Sequence, residues 1–120
     1  MRPLVTLGSG SIVDVAIDQL GKPYRYGATG PNAFDCSGLV YYVLNRAGIH
    51  VPRLTSDGYY RLFAKTTRAA LVPGDLAVYP DHIAIYVGGG NIIAATTPRG
   101  GVKRQSIDAP GRPFGFVHPA

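Results

Sequence analysis

The sequence contains no glutamate; its seven acidic residues are all aspartates. Any carboxylate that orients or ionises in a reaction must therefore be an aspartate. Only one cysteine is present, Cys36, which excludes an internal disulfide and a multi-thiolate metal site. No apolar run approaches the roughly 18 residues needed to cross a membrane, so no span is expected. Met1 to Gly10 also fail as a secretory leader, because Leu4, Val5 and Leu7 are too few for its apolar core. The expectation is a fragment of an exported protein, or a chain delivered by another route. Repeats, low-complexity tracts and linkers are missing too, and 120 residues leave room for one domain, 1–120.

What is present describes a globular chain: 46% hydrophobic and 16% charged residues argue against disorder. A formal charge of +5 favours anionic surroundings such as nucleic acid, a membrane surface or bacterial cell wall. The Arg and Lys residues are scattered, and the aromatic–basic interleaving of RNA-binding domains is lacking, so nucleic acid is not the expected partner.

Apolar periodicity divides the chain in two. Ile12, Val13, Ala16, Ile17 and Leu20 follow a helical period, with Ser11 as the predicted cap and Gly21 as the stop. Residues 21–31 are rich in Gly and Pro and read as loop. A second helix is predicted over Cys36 to Ala47, capped by Asp35 and stopped by Gly48, with Leu39, Val40, Val43, Leu44 and Ala47 as its apolar stripe. A shorter one fits Ser56 to Phe63. After Pro73-Gly74 the period becomes two: Leu76 and Val78, then Ile83, Ile85 and Val87. Gly88 to Asn91 reads as a hairpin turn returning through Ile92 and Ile93, and further strands fit Val102 to Ile107 and Phe114 to His118. Helices first and antiparallel strands second is an α+β order.

Cys36 follows a predicted N-cap, at the positive end of a helix, where backbone amides favour the nucleophilic thiolate. A low thiol pKa is therefore expected, although an isolated cysteine is most often buried and inert. Gly38, one turn into the helix, implies close packing or access. Of the three histidines, His50 and His118 read as solvated surface residues. His82 opens a strand, and by alternation points with Ala84 and Tyr86, opposite Ile83 and Ile85. A helix packed on that sheet would bring Cys36 to it.

Four blocks carry a resemblance: Gly21-Lys22-Pro23-Tyr24-Arg25-Tyr26-Gly27, Phe34-Asp35-Cys36-Ser37-Gly38-Leu39-Val40, Pro73-Gly74-Asp75-Leu76, and His82-Ile83-Ala84-Ile85-Tyr86-Val87-Gly88. In order and spacing they resemble the NlpC/P60 peptidases, over a core of about residues 11–118. The resemblance implies a papain-like α+β fold, with N-terminal helices packed on an antiparallel sheet. It also implies cleavage of peptidoglycan stem peptides, typically between D-glutamate and a diamino acid. In that reading Cys36 is the nucleophile and His82 the general base. Tyr24 matches the tyrosine that positions nucleophile and oxyanion, and Asp35 and Ser37 match positions that shape substrate binding. The Cys36 backbone N–H, in the first helical turn, is a candidate oxyanion donor.

One position departs from the family pattern. A third polar residue, about a dozen residues after the histidine, ordinarily hydrogen-bonds the imidazole and fixes its tautomer. Alignment of Asn91 to Thr96 with that strand places Ala94 there, which carries no side-chain acceptor. Thr96, on the same strand face, is the candidate replacement, with water, a backbone carbonyl or Gln105 as alternatives. Reduced activity is one expectation; a module that binds wall peptide without cutting it, or a papain-like amidase or acyl transferase, are the competing readings. No metal and no cofactor are expected. The protein is expected to act as a monomer, outside the cell or in the wall, as part of a bacterial secreted protein or a phage lysin or tail protein.

Overall fold

The computed structural model describes residues 9–97 and 100–119; the reading of the leader segment Met1 to Gly8 lies outside them. Among the described residues three α-helices precede the six strands of one antiparallel sheet, with a 3-10 turn between the first two strands. The first helix, α1, spans Ser9–Asp18 and begins two residues before the predicted cap, so Ser11 lies inside its first turn. Ile12 and Ala16 on this helix are fully buried.

Helix α2 spans Cys36–Arg46 and follows its prediction to within one residue. Asp35, in extended backbone, accepts from the Gly38 amide and so satisfies one of the unpaired donors of the first turn. Leu39, Val40, Val43 and Leu44 form the stripe that packs on the sheet, all at 1% exposure or less. Helix α3 spans Ser56–Leu62 and is capped by the Thr55 side chain on the Gly58 amide.

The strands are β1 (Ala64–Thr66), β2 (Leu76–Tyr79), β3 (His82–Gly88), β4 (Asn91–Thr96), β5 (Gly101–Ser106) and β6 (Gly115–His118), ordered β1-β6-β2-β3-β4-β5. Sequence periodicity missed β1. It has three residues, alternates nothing apolar, and is held by β6 at the far end of the chain, Ala64 opposite His118. Gly88, Gly89 and Gly90 all have positive φ, between 62° and 96°, which builds the β3–β4 turn where L side chains would be strained.

Apolar residues fill both sides of the sheet. The main core joins the helices to Leu76, Val78, Ile83, Ile85, Ile93 and Ala95. A smaller cluster on the far face joins Ala77, Tyr79, Ala84, Ile92, Ala94 and Ile107. Covering both faces explains why all four residues of β2 are buried.

Candidate active site

Helix α2 begins at Cys36 and β3 begins at His82, and both residues line one cavity of about 570 Å³. Tyr24, Asp81 and Thr96 line it as well. A second cavity, of about 440 Å³, shares Tyr24, Cys36 and Asp81 and extends past Asp35, Ser37 and Arg53. Cys36 therefore lines both hollows, together with Tyr24 and Asp81.

The alternation of β3 groups His82 with Ala84 as predicted, but the helices cover the opposite face, that of Ile83 and Ile85. His82 reaches the Cys36 cavity because it is the first residue of its strand, at the end of the sheet over which α2 starts. Paired residues of β3 and β4, among those described, run from Ile85 opposite Ile93 to Gly88 opposite Asn91. His82 and Thr96, at the ends of these strands, both line the cavity.

The Cys36 Sγ donates to the Asp81 carbonyl at 4.0 Å, a weak contact across the β2–β3 turn. Asp81 itself has φ of 55°, the left-handed region that an aspartate tolerates better than most residues. Burial pushes the Cys36 thiol above its ordinary range, and the neighbouring Asp35 charge adds to this. The amides of Ser37, Ile83 and Cys36 pull the other way without prevailing. This corrects the expected low-pKa thiol: the helix terminus acts as foreseen, but desolvation beside a carboxylate outweighs it. Burial also pushes the His82 imidazole down. Both shifts favour the uncharged forms, thiol and imidazole. The Tyr24 hydroxyl is raised by burial and then by Cys36 and Asp35, so it stays a proton donor.

Asp35 does more than cap α2. Its Oδ1 accepts from the Gly38 amide at 2.7 Å and its Oδ2 from the Gly27 amide at 2.8 Å. Arg53 Nη2 donates to both oxygens at 3.1 Å, and Arg53 Nη1 donates to Ser37 Oγ at 2.7 Å. Sequence reading missed Arg53; it lies in a Pro-flanked loop, and only folding brings it to Asp35. Gly38 is explained by close packing, since a Cβ there would collide with the Ala28 carbonyl.

Ala94 is fully buried in the far-face cluster. Thr96 lines the cavity, but its hydroxyl donates to the Gly101 carbonyl at 3.0 Å. His82 Nε2 is buried without a hydrogen-bond partner among the described residues. The structure thus places Thr96 near the site without joining it to the imidazole. His50 and His118 are both exposed as expected, and His118 in addition pairs its Nδ1 with the buried carboxylate of Asp75. Among the described residues no cluster of His, Cys, Asp or Glu is arranged to hold a metal ion.

Comparison with known proteins gives consistent likenesses. A family model described as "NlpC/P60 family" matches residues 21–113. The chain is 39% identical over 105 residues to the probable endopeptidase p60 of Listeria monocytogenes, covering 83% of this chain and 21% of that protein. It is 39% identical over 99 residues to the murein DD-endopeptidase MepH of Escherichia coli, covering 74% of this chain and 36% of that one. The chain thus spans about a fifth to about a third of these two relatives. The crystal structure of the NlpC/p60 domain of the peptidoglycan hydrolase SagA superposes with a TM-score of 0.81 at 31% identity, covering 92% of this chain and 98% of that one. The α+β architecture is the papain-like one of these structures.

Proposed function

The chain belongs to the NlpC/P60 family, and from that premise we propose that it is a peptidoglycan endopeptidase that cuts stem peptides through Cys36 and His82. The observation that carries this reading is the meeting of the two in one cavity: the cysteine at the first residue of a helix, the histidine at the first residue of a strand.

With both shifts favouring the uncharged forms, proton transfer accompanies attack. Cys36 Sγ bonds to the scissile carbonyl carbon as its proton passes to the His82 imidazole. The carbonyl oxygen becomes an oxyanion, for which the Cys36 amide and the Tyr24 hydroxyl, both on the cavity, are the donors. Collapse breaks the C–N bond, and the imidazolium protonates the departing amine. Water, deprotonated by His82, then hydrolyses the thioester and releases a carboxylate and the free thiol. Asp35 and Ser37 keep the cysteine helix and the second cavity in register through Arg53. Extracellular or wall-bound action as a monomer accords with this substrate.

The D-glutamyl–diamino acid bond is the proposed target. A crosslink between two stems is the second reading, favoured by the name of MepH. Mass spectrometry of muropeptides before and after treatment tests both. Release of stem dipeptides supports the first, loss of crosslinked dimers the second, and unchanged wall, identical to the Cys36→Ala control, rejects the proposal. Activity is expected to survive a chelator and to vanish on thiol alkylation.

A further inference from the structure

His82 has an unusual surround for a residue that takes up a proton. Its Nε2 is buried without a hydrogen bond among the described residues, and Ala94, at the position where a polar partner is expected, offers only a methyl group. Thr96 is engaged with Gly101. Tyr79 is what does contact the imidazole. The two residues face each other across the β2–β3 hairpin, paired in register on either side of Pro80 and Asp81. Their ring centroids are 5.4 Å apart at an interplanar angle of 50°.

Tyr79 is itself held fast. It is 1% exposed, and its hydroxyl donates to the Ile107 carbonyl at 2.6 Å. Burial raises that hydroxyl well above its ordinary range, so it remains a donor. Ile107 in turn donates its amide to the Gly90 carbonyl, which ties the anchor to the β3–β4 turn. The ring thus has a fixed place, set by a backbone carbonyl within the buried far-face cluster.

We propose that Tyr79 is the positioning residue for His82, its anchored ring bracing the imidazole toward the Cys36 cavity in place of the missing polar partner. This rests on the reading of His82 as the general base. A ring so placed limits the imidazole to fewer rotamers. Its negative face also attracts the imidazolium that forms during attack, at a separation within the range where a cation and an aromatic ring interact. The ionisable groups around the imidazole are Tyr79 on β2, Asp81 in the turn, Cys36 on α2, Tyr24 in the preceding loop and Lys103 on β5.

The test compares Tyr79→Phe, which keeps the ring and loses the anchor, with Tyr79→Leu, which loses the ring and keeps apolar bulk. Full-chain protein labelled in histidine and tyrosine is followed by NMR, with His82 assigned from the His82→Gln spectrum, and kcat and KM are measured on solubilised wall fragments. Wild type should show contacts between the two rings. Tyr79→Leu should lower kcat about tenfold with KM within about twofold, and should move the His82 titration further down, because burial persists while the ring's attraction is gone. Tyr79→Phe, with the ring kept but its anchor lost, should keep the wild-type titration and fall between wild type and Tyr79→Leu in kcat. An absence of inter-ring contacts in wild type overturns the proposal without any variant. So does a folded Tyr79→Leu with unaltered His82 titration, or a Tyr79→Phe as impaired as Tyr79→Leu, which would leave only the Ile107 anchor as important. If instead His82→Gln and Cys36→Ala retain activity, the peptidase assignment fails, while the ring contacts and titration still decide the bracing.

Discussion

Arg53 holds both carboxylate oxygens of Asp35 through one nitrogen, at 3.1 Å each, and so links the loop before α3 to the cap of the cysteine helix. The same guanidinium reaches Ser37, one residue past Cys36. Arg53→Ala should destabilise the protein by about 1–3 kcal/mol, the range for losing hydrogen bonds to a charged group that is then left poorly solvated. Asp35→Ala should cost at least as much, since it also removes the cap and the Gly27 contact. Urea unfolding of both variants measures this; a change below about 0.5 kcal/mol for Arg53→Ala would place the pair among ordinary surface bridges.

Reactivity of the Cys36 thiol should rise with pH at or above the roughly 8.5 of free cysteine, because burial and Asp35 raise it. The sign follows for stability. Above about 8.5 the unfolded chain has lost a proton that the folded chain keeps, so folding is penalised as pH rises through that window. Alkylation rates between mildly acidic and alkaline pH, with Cys36→Ala as control in the unfolding series, check both. A reactive thiolate already present near pH 5 would mean that Cys36 and His82 rest as an ion pair.

His82 gives the opposite limb. Its imidazole is depressed by burial, so the unfolded chain binds the proton first. Stability should fall as pH drops below about 6.5, and the acid limb of kcat/KM should lie below that value too. The His82→Gln variant should lose this part of the acid sensitivity. A kinetic limb at or above about 6.5 would show an imidazole stabilised in its charged form.

Gly38→Ala should be poorly tolerated. The added Cβ would collide with the Ala28 carbonyl and come within 2.8 Å of Asp35 Oδ1. Neither neighbour is the free end of a flexible side chain. A loss of about 1–3 kcal/mol or more is expected from overpacking, seen as a lower Tm, together with lower activity at temperatures where the variant is folded.

Ala94 tests the missing partner directly. Ala94→Glu should raise kcat per folded molecule by giving the imidazole a carboxylate, with KM little changed. It should also lower stability by about 1–3 kcal/mol, because Ala94 is fully buried among Tyr79, Ala84 and Ile92. Ala94→Ser, with far less added volume, should keep stability and shift kcat in the same direction more weakly. Initial rates normalised to folded protein decide the matter; unchanged rates in both variants would mean that the imidazole already has all the support it uses.

Local pattern alone determined a good deal of this protein. The apolar stripe from Leu39 to Ala47, with Asp35 before it, was enough to place α2 and set Cys36 at its first turn. Period-two alternation placed β3 and grouped His82 with Ala84, because side-chain direction along a strand depends only on neighbours in sequence. The four motif blocks carried the family. Tertiary structure decided what depends on distant partners. The edge strand β1 exists because β6 pairs with it across the length of the chain. Arg53 meets Asp35, and His118 meets Asp75, only when loops and strand ends come together. Which face of β3 the helices cover was equally invisible, since alternation gives two faces and packing chooses between them. The same holds for Cys36. A helix N-terminus can be read from sequence, whereas the desolvation and the Asp35 charge that outweigh it are properties of the folded surroundings.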